Sequence, residues 1–300
     1  MKKLLIIFIA YLLTACEQKT TDNTLQYSST SPNDNGVIVY RLAIHPLHNP
    51  QKLFEAYQPL VDYLNSELQY IKIELEASRD YQTFEKKFRA RQPELLLPNP
   101  WQTVQAMDSG YHVIGMAGDA DDFKGIFIVR KDNDIIEPLQ LEGKRVSYPA
   151  PTALAAAIMP QYFLYTHGID INQHTENVYV GSQESSIMNV YLSNVTVGAT
   201  WPPSWRSFKK DNPEQAKQLK VVWQTPSLIN NSVMIRDDVP DKISKQIQSL
   251  LINLGDSEHG QVILTGMETA RITSANDEDY DVVRTYIKNF EDKVRPVENK

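Results

Sequence analysis

The sequence predicts an α/β protein built as two α/β lobes joined by two hinge crossings. From Val37 onward, short apolar runs alternate with longer segments whose apolar residues recur every three or four positions, the order expected of a sheet with parallel pairs. That strand–helix pattern is laid down twice and is followed by a late return strand, so the chain must leave the first unit and come back to it. The roughly 250 residues that follow Val37 are enough for one large domain or two lobes. The expected partition is 37–130 plus 228–290 for one lobe and 131–227 for the other.

The elements follow in order. VIVYRLAI, Val37 to Ile44, is the first strand, and a helix runs from about Pro50 to Leu68 with Leu53, Tyr57, Leu60, Val61 and Leu64 at helical spacing. IKIELEAS alternates as a strand, and Asp80 opens a helix that ends near Arg91. ELLLPNP is a short strand entering a Pro-bounded turn; a helix from Trp101 to Ser109 is closed by Gly110. HVIGMAG and GIFIVRKD are the next strands. KRVSYP, an Ala-rich helix closed by Gly168, NVYVGS, a helix to about Ser193 and TVGATW repeat the pattern. LKVVWQT and NNSVMIRDDVP are late strands; Asp241 to Leu254 and Tyr280 to Asn289 are late helices.

The N-terminus reads as processing rather than structure. Lys2 and Lys3 precede ten apolar-rich residues, Leu4 to Leu13, too few to span a bilayer. Leu13-Thr14-Ala15-Cys16 resembles the lipobox of bacterial lipoproteins, which implies a signal peptide over residues 1–15 and acylation, palmitate included, on Cys16. Cys16 is the only cysteine, so an anchor explains it better than a disulfide framework. Residues 16–36 are polar and poor in aliphatics, a flexible tether between a membrane and the domain. Lys and Arg number 30 against 37 Asp and Glu, with no basic stripe, which argues against nucleic acid as a partner.

SYPAPTALAAAIMP, Ser147 to Pro160, reads as a strand end, a Pro-bounded turn and a helix start. Such a start presents N–H groups to an anion, with Thr152 as the turn's hydroxyl, or uses Thr152 simply as an N-cap. Trp101, Tyr81, Tyr148 and Trp201 fall at strand ends or loops, where they either face a cleft or pack the core. Trp201-Pro202-Pro203-Ser204-Trp205 reads as a cleft rim or a rigid linker. His45 and His48 have the spacing of a metal pair without further ligands, and Asp119, Asp121 and Asp122 read as a solvated loop run. No nucleophile elbow, zinc motif, phosphate loop or Cys/His pair is recognisable, so neither an enzyme nor a cofactor is expected.

Over Val37 to Tyr280 the order of several short motifs resembles the type II periplasmic substrate-binding proteins of the phosphate, phosphite and phosphonate transporter group. YQPLVDYLNSEL and SRDYQTFEKKFRARQPELLLPNPWQTVQA are similar to that group's first lobe, and LQLEGKRVSYPAPTALAAAIMPQYFLYTHGID and VYVGSQESSIMNVYLSNVTVGAT to its second. The resemblance implies a type II periplasmic-binding-protein fold and a lipid-anchored solute-binding protein of an ABC-type uptake system. The ligand would be small, anionic and phosphonate-related. Its partners would be a permease or, alternatively, a membrane sensor kinase, and its place the cell envelope. The implied ligand residues are His45, Tyr81, Asn99, Trp101 and Thr103 from the first lobe, and Tyr148, Thr152, Gln183 and Trp201 from the second. Pro151, Thr152, Ala153 and Leu154 stand where that group has a loop close to Ser-Thr-Ser-Gly, Gln183 stands for its histidine, and Thr196 for its acidic residue. Each hydroxyl lost from the loop removes a donor to a charged ligand, worth roughly 1.5–3 kcal/mol.

Overall fold

A computed structural model describes residues 37–298; the signal segment, Cys16 and the tether to Gly36 lie outside the described residues. In chain order the first lobe contributes β1 (Ile38–Ile44), α1 (Pro50–Glu67), β2 (Ile71–Glu76), α2 (Tyr81–Arg89), β3 (Leu95–Leu97), α3 (Pro100–Met107) and β4 (Tyr111–Ala117). The second contributes β5 (Ile126–Arg130), β6 (Lys144–Tyr148), α4 (Met159–Thr166), β7 (Thr175–Tyr179), α5 (Gln183–Tyr191), β8 (Val197–Thr200), α6 (Pro202–Asp211), α7 (Pro213–Ala216) and β9 (Leu219–Gln224). The chain then returns with β10 (Asn231–Arg236), α8 (Asp241–Ile252), α9 (Glu258–Gly266), β11 (Ile272–Thr273) and α10 (Asp281–Lys293). No helix among the described residues is long and apolar enough to cross a membrane.

The strands form two sheets, ordered β11-β4-β10-β3-β1-β2 and β7-β6-β8-β5-β9. β1 pairs in parallel with β2 and β3, and β6 in parallel with β7 and β8, as strand–helix alternation requires. Successive residues face opposite ways along each strand. Leu42 and Ile44, Leu95 and Leu97, and Val233 and Ile235 therefore pack under α1, α8 and α9, while Ala43, Leu96 and Met234 pack under α2, α3 and α10. This second core also takes in Leu154, Ala155, Ile158, Met159 and Trp201 from the other lobe, so apolar packing continues across the lobe boundary.

The chain crosses between the sheets twice, and the two crossings hydrogen-bond to each other. Thr225 N–H donates to the Gly125 carbonyl at 2.9 Å, Gly125 N–H to Thr225 Oγ1 at 2.9 Å, and Leu228 N–H to the Phe123 carbonyl at 2.9 Å. A Cβ on Gly125 would lie 2.6 Å from the Ala155 carbonyl oxygen, so only glycine fits where the hinge passes that turn. The strand Ile126–Arg130, which a border at residue 130 would leave in the first lobe, pairs with β8 and β9 in the second sheet. Hydrophobic pattern cannot distinguish the last strand of one unit from the first of the next; pairing decides it.

Three local features differ from the expected elements. The Ala-rich helix begins as a π-helical turn, Leu154–Ile158, before α4. Pro160 has no N–H for the Ala156 carbonyl and crowds it, and a wider turn, closed by Met159 N–H on the Leu154 carbonyl, accommodates this. Pro202 and Pro203 start α6 rather than stiffen a linker, because proline's missing N–H costs nothing in a first helical turn. α9 and the two-residue β11 add a helix and an edge strand to the returning lobe.

Candidate functional site

The C-terminal ends of β1, β3 and β8 and nearby helix starts bring the site residues together. On the first lobe, β1 runs into His45. Its Nδ1 lies 2.9 Å from the Leu97 carbonyl, and since a carbonyl only accepts, Nδ1 carries the proton and Nε2 keeps its lone pair. Burial pushes the imidazole down to about 4, so it is neutral at neutral pH. Asp80 caps α2 by accepting from Thr83 N–H at 2.7 Å, which sets Tyr81 as the first helical residue with its ring edge-on to His45. Asn99 caps α3 in a reciprocal box with Gln102.

On the second lobe, Ser182 caps α5 and presents Gln183, whose Oε1 accepts from Thr200 Oγ1 at 2.9 Å. Gln183 Nε2 reaches Tyr81 Oη in the other lobe at 3.4 Å. Asn99 Nδ2 donates to the Thr152 carbonyl at 3.1 Å, a second bond between the lobes. Trp201, at the end of β8, donates Nε1–H to Ser204 Oγ at 2.7 Å and packs edge-on against Phe123 at the crossing.

These residues meet in a small, tightly filled pocket, lined by His45, Tyr81, Asn99, Asn231, Phe123, the turn Ala153 to Ala155, Gln183 and Trp201. Every lining side chain is buried. None is Lys, Arg, Asp or Glu, so recognition rests on neutral donors, aromatic faces and the N–H groups of a first helical turn, which have no acceptor within the helix. The nearest buried carboxylate, Glu85, accepts from Gln102 Nε2 at 3.1 Å; burial raises its pKa, and the Thr152 and Gln102 side chains partly offset that.

Of the residues expected to face a ligand, the structure brings His45, Tyr81, Asn99, Gln183 and Trp201 into one lining. Trp101, Thr103, Tyr148 and Thr152 lie outside it. Trp101 packs in the core between α2, α3 and α10, because α3 turns that face inward. Thr103 is fully buried, its Oγ1 2.7 Å from Ser232 Oγ. Tyr148 is buried in the second lobe with its ring against Tyr179, 5.8 Å between centroids. Thr152 is buried, and only its carbonyl is engaged near the cleft, accepting from Asn99 Nδ2. Phe123, Ala153, Leu154, Ala155 and Asn231 complete the lining. Asn231 follows the second crossing, and the Asn230-Asn231 pair opening an apolar strand was its one sequence signal. Asp122 is held by Arg206 and Asp119 by Arg271, and among the described residues no three His, Cys, Asp or Glu side chains gather as a metal site.

Comparison with known proteins agrees with this fold. The family model described as "ABC transporter, phosphonate, periplasmic substrate-binding protein" matches residues 42–280. A probable phosphite-binding protein of an ABC transporter from Prochlorococcus marinus is 24% identical over 156 residues, covering 47% of this chain and 52% of that protein. The phosphonates-binding periplasmic protein of Escherichia coli is 22% identical over 157 residues, covering 51% and 46%. The matches thus span about half the length of these curated relatives. A solved Prochlorococcus marinus structure in complex with methylphosphonate superposes with a TM-score of 0.77 at 21% identity, covering 84% of this chain and 98% of that one. That likeness shows the shared fold, the type II periplasmic-binding-protein architecture.

Proposed function

The chain belongs to the family of periplasmic substrate-binding proteins of ABC phosphonate transporters, and on that premise we propose that it is an extracytoplasmic solute-binding protein. Its lobes close over a small oxyanion of the phosphonate class, and the closed form is what an ABC permease receives. The observation that carries the reading is the pocket lined from both lobes, with Tyr81, Asn99 and Gln183 as neutral donors around a helix start. A ligand touching both lobes stabilises the closed form only, and that differential affinity is the mechanism. Tyr81 Oη, Gln183 Nε2 and Asn99 Nδ2 now satisfy partners across the cleft and would transfer those bonds to the ligand's oxygens. The role is binding, not turnover.

The sequence supports anchoring through an acylated Cys16, with residues 16–36 as the tether. Replacing Cys16 with Ser should move the protein from the membrane fraction to the soluble fraction. Calorimetric titration with methylphosphonate, phosphite, phosphate, methanesulfonate and acetate, followed by X-ray scattering of the best pair, tests the binding reading. Binding of a phosphonate or phosphite with compaction supports it. Preference for acetate, or no binding by any of the five, discards it.

A further inference from the structure

No charged side chain lines the cleft pocket, yet a cation grips the turn behind it. After α10 the chain runs from the first lobe onto the second. Asn172 Nδ2 of the second lobe donates to the Val294 carbonyl at 2.9 Å, and Val297 is buried in the core that crosses the lobes. Between them Arg295 is half-buried. Its Nη2 donates to the Pro151 carbonyl at 2.9 Å, its Nε to Gln161 Oε1 at 2.8 Å, and its Nη1 to the Pro296 carbonyl at 2.8 Å. The guanidinium also lies over the Phe290 ring, 5.2 Å from its centroid. Gln161 in turn donates Nε2 to Tyr179 Oη at 3.0 Å. All these partners are neutral. Glu291 of α10 directs its Oε1 to Val297 N–H at 3.1 Å, and among the described residues no carboxylate pairs with Arg295. Burial draws the guanidinium's pKa down, although arginine stays charged. A charge taken partly out of water normally needs a partner of opposite sign.

We infer that Arg295 is a positioning residue for the oxyanion: it fixes the Pro151 carbonyl beside the Thr152 carbonyl that Asn99 holds, and it lends the turn a positive charge that no lining side chain supplies. Resting on the binding function proposed above, this assigns the cleft's preference for anions to a residue near the far end of the chain. Ala153, where the turn meets the pocket, is only two positions from Pro151. A cation set that close behind a neutral wall acts on the ligand by Coulomb attraction without touching it. The attraction grows with the ligand's charge, so a dianion gains more from it than a monoanion.

The test titrates methylphosphonate and methanesulfonate into the full chain by calorimetry, at one mildly alkaline pH. There the phosphonate is a dianion and the sulfonate a monoanion on a similar tetrahedral head. Arg295→Gln keeps an amide donor for the Pro151 carbonyl and removes the charge. It should weaken methylphosphonate about tenfold and methanesulfonate only about threefold, as a loss proportional to ligand charge requires. Arg295→Lys keeps the charge and should hold both affinities within about twofold of the native protein. The stoichiometry of each titration reports the folded fraction, so partial unfolding does not imitate weaker binding. If methanesulfonate does not bind, the gap between the Lys and Gln proteins for methylphosphonate decides alone. Unchanged affinity in Arg295→Gln overturns the inference. So does an equal loss in the Lys and Gln proteins, which would leave Arg295 a structural tie only; both outcomes leave the binding function standing. Failure of the native protein to bind any phosphonate or phosphite overturns the functional reading and this inference with it.

Discussion

The Asn99 side chain donates to the Thr152 carbonyl across the cleft, 3.1 Å away, while its Oδ1 caps α3 by accepting from Gln102 N–H at 3.1 Å. One residue thus holds a helix start within its own lobe and a bond to the other lobe. The two roles separate chemically. Asn99→Asp keeps the cap, since a carboxylate accepts as well as an amide, but loses the donor and sets a negative charge against a carbonyl. Its urea unfolding should stay within about 1 kcal/mol of the native protein, while ligand affinity falls roughly tenfold. Asn99→Ala loses both roles and should cost about 1–2 kcal/mol of stability as well. Equal ligand affinity in the native and Asp proteins would separate this bond from closure.

His45 makes stability depend on pH. Its folded pKa, pushed down to about 4, lies below the ordinary value of 6.5, so the unfolded chain binds the proton more readily. The imidazole's share of stability is whole above pH 6.5 and drains away as pH falls toward 4. Complete titration across that window is worth about 3 kcal/mol. His45→Asn keeps a donor for the Leu97 carbonyl and removes the titration. Its stability–pH curve should be flatter than the native one through that window. His48, which burial pushes down to about 3, adds a separate slope that this variant retains. Parallel curves for the two proteins would show that His45 does not titrate there.

Arg206 of α6 spans the lobes. Its guanidinium meets Asp122 at the first crossing through two bonds of 2.9 and 2.7 Å, and Glu268 of the returning lobe at 2.9 Å. The side chain is 40% exposed, so solvent screens the pairs and their effect is modest. Arg206→Lys keeps the charge but cannot grip both oxygens of Asp122. Ligand affinity should fall about threefold to tenfold, more at low salt than at high, with unfolding stability nearly unchanged. Scattering of the ligand-free variant should show a larger radius than the native protein. An unchanged radius and affinity would make the cluster a surface feature only.

Much of this architecture was legible because it rests on local pattern. The alternation in Ile71–Glu76 and the helical spacing of Leu53, Tyr57, Leu60 and Leu64 read directly from sequence. The cleft was legible where a polar residue sits at a helix start, as with Tyr81, Asn99 and Gln183. It was not legible where tertiary placement decides which way a residue turns. Trp101 and Tyr148 look the same on paper as Trp201, yet they fill the cores on either side while Trp201 walls the cleft. Phe123 and Asn231 reach the pocket only because the two crossings lie side by side, a long-range pairing with no local signature.

The turn at Ala153 offers the most direct test of where an oxyanion sits. Pro151, Thr152, Ala153 and Leu154 form the turn that opens the Ala-rich helix, and Thr152 takes no part in the pocket lining. Leu154 is 1% exposed in the core that crosses the lobes, so Leu154→Gly would cost about 3 kcal/mol or more in packing and backbone entropy. Ala153 is the better site. It lines the pocket, is 2% exposed, and serine adds a single hydroxyl to nearly the same volume. Ala153→Ser should cost the ligand-free protein about 1 kcal/mol, the burden of a buried hydroxyl without a full set of partners. With an oxyanion seated at the turn, that hydroxyl gains an acceptor, and methylphosphonate should bind about tenfold more tightly, as a hydrogen bond to a charged group provides. Titration calorimetry of both proteins measures the change directly. Unchanged methylphosphonate affinity in a folded Ala153→Ser protein would place the anionic head at Tyr81 and Gln183, away from the helix start.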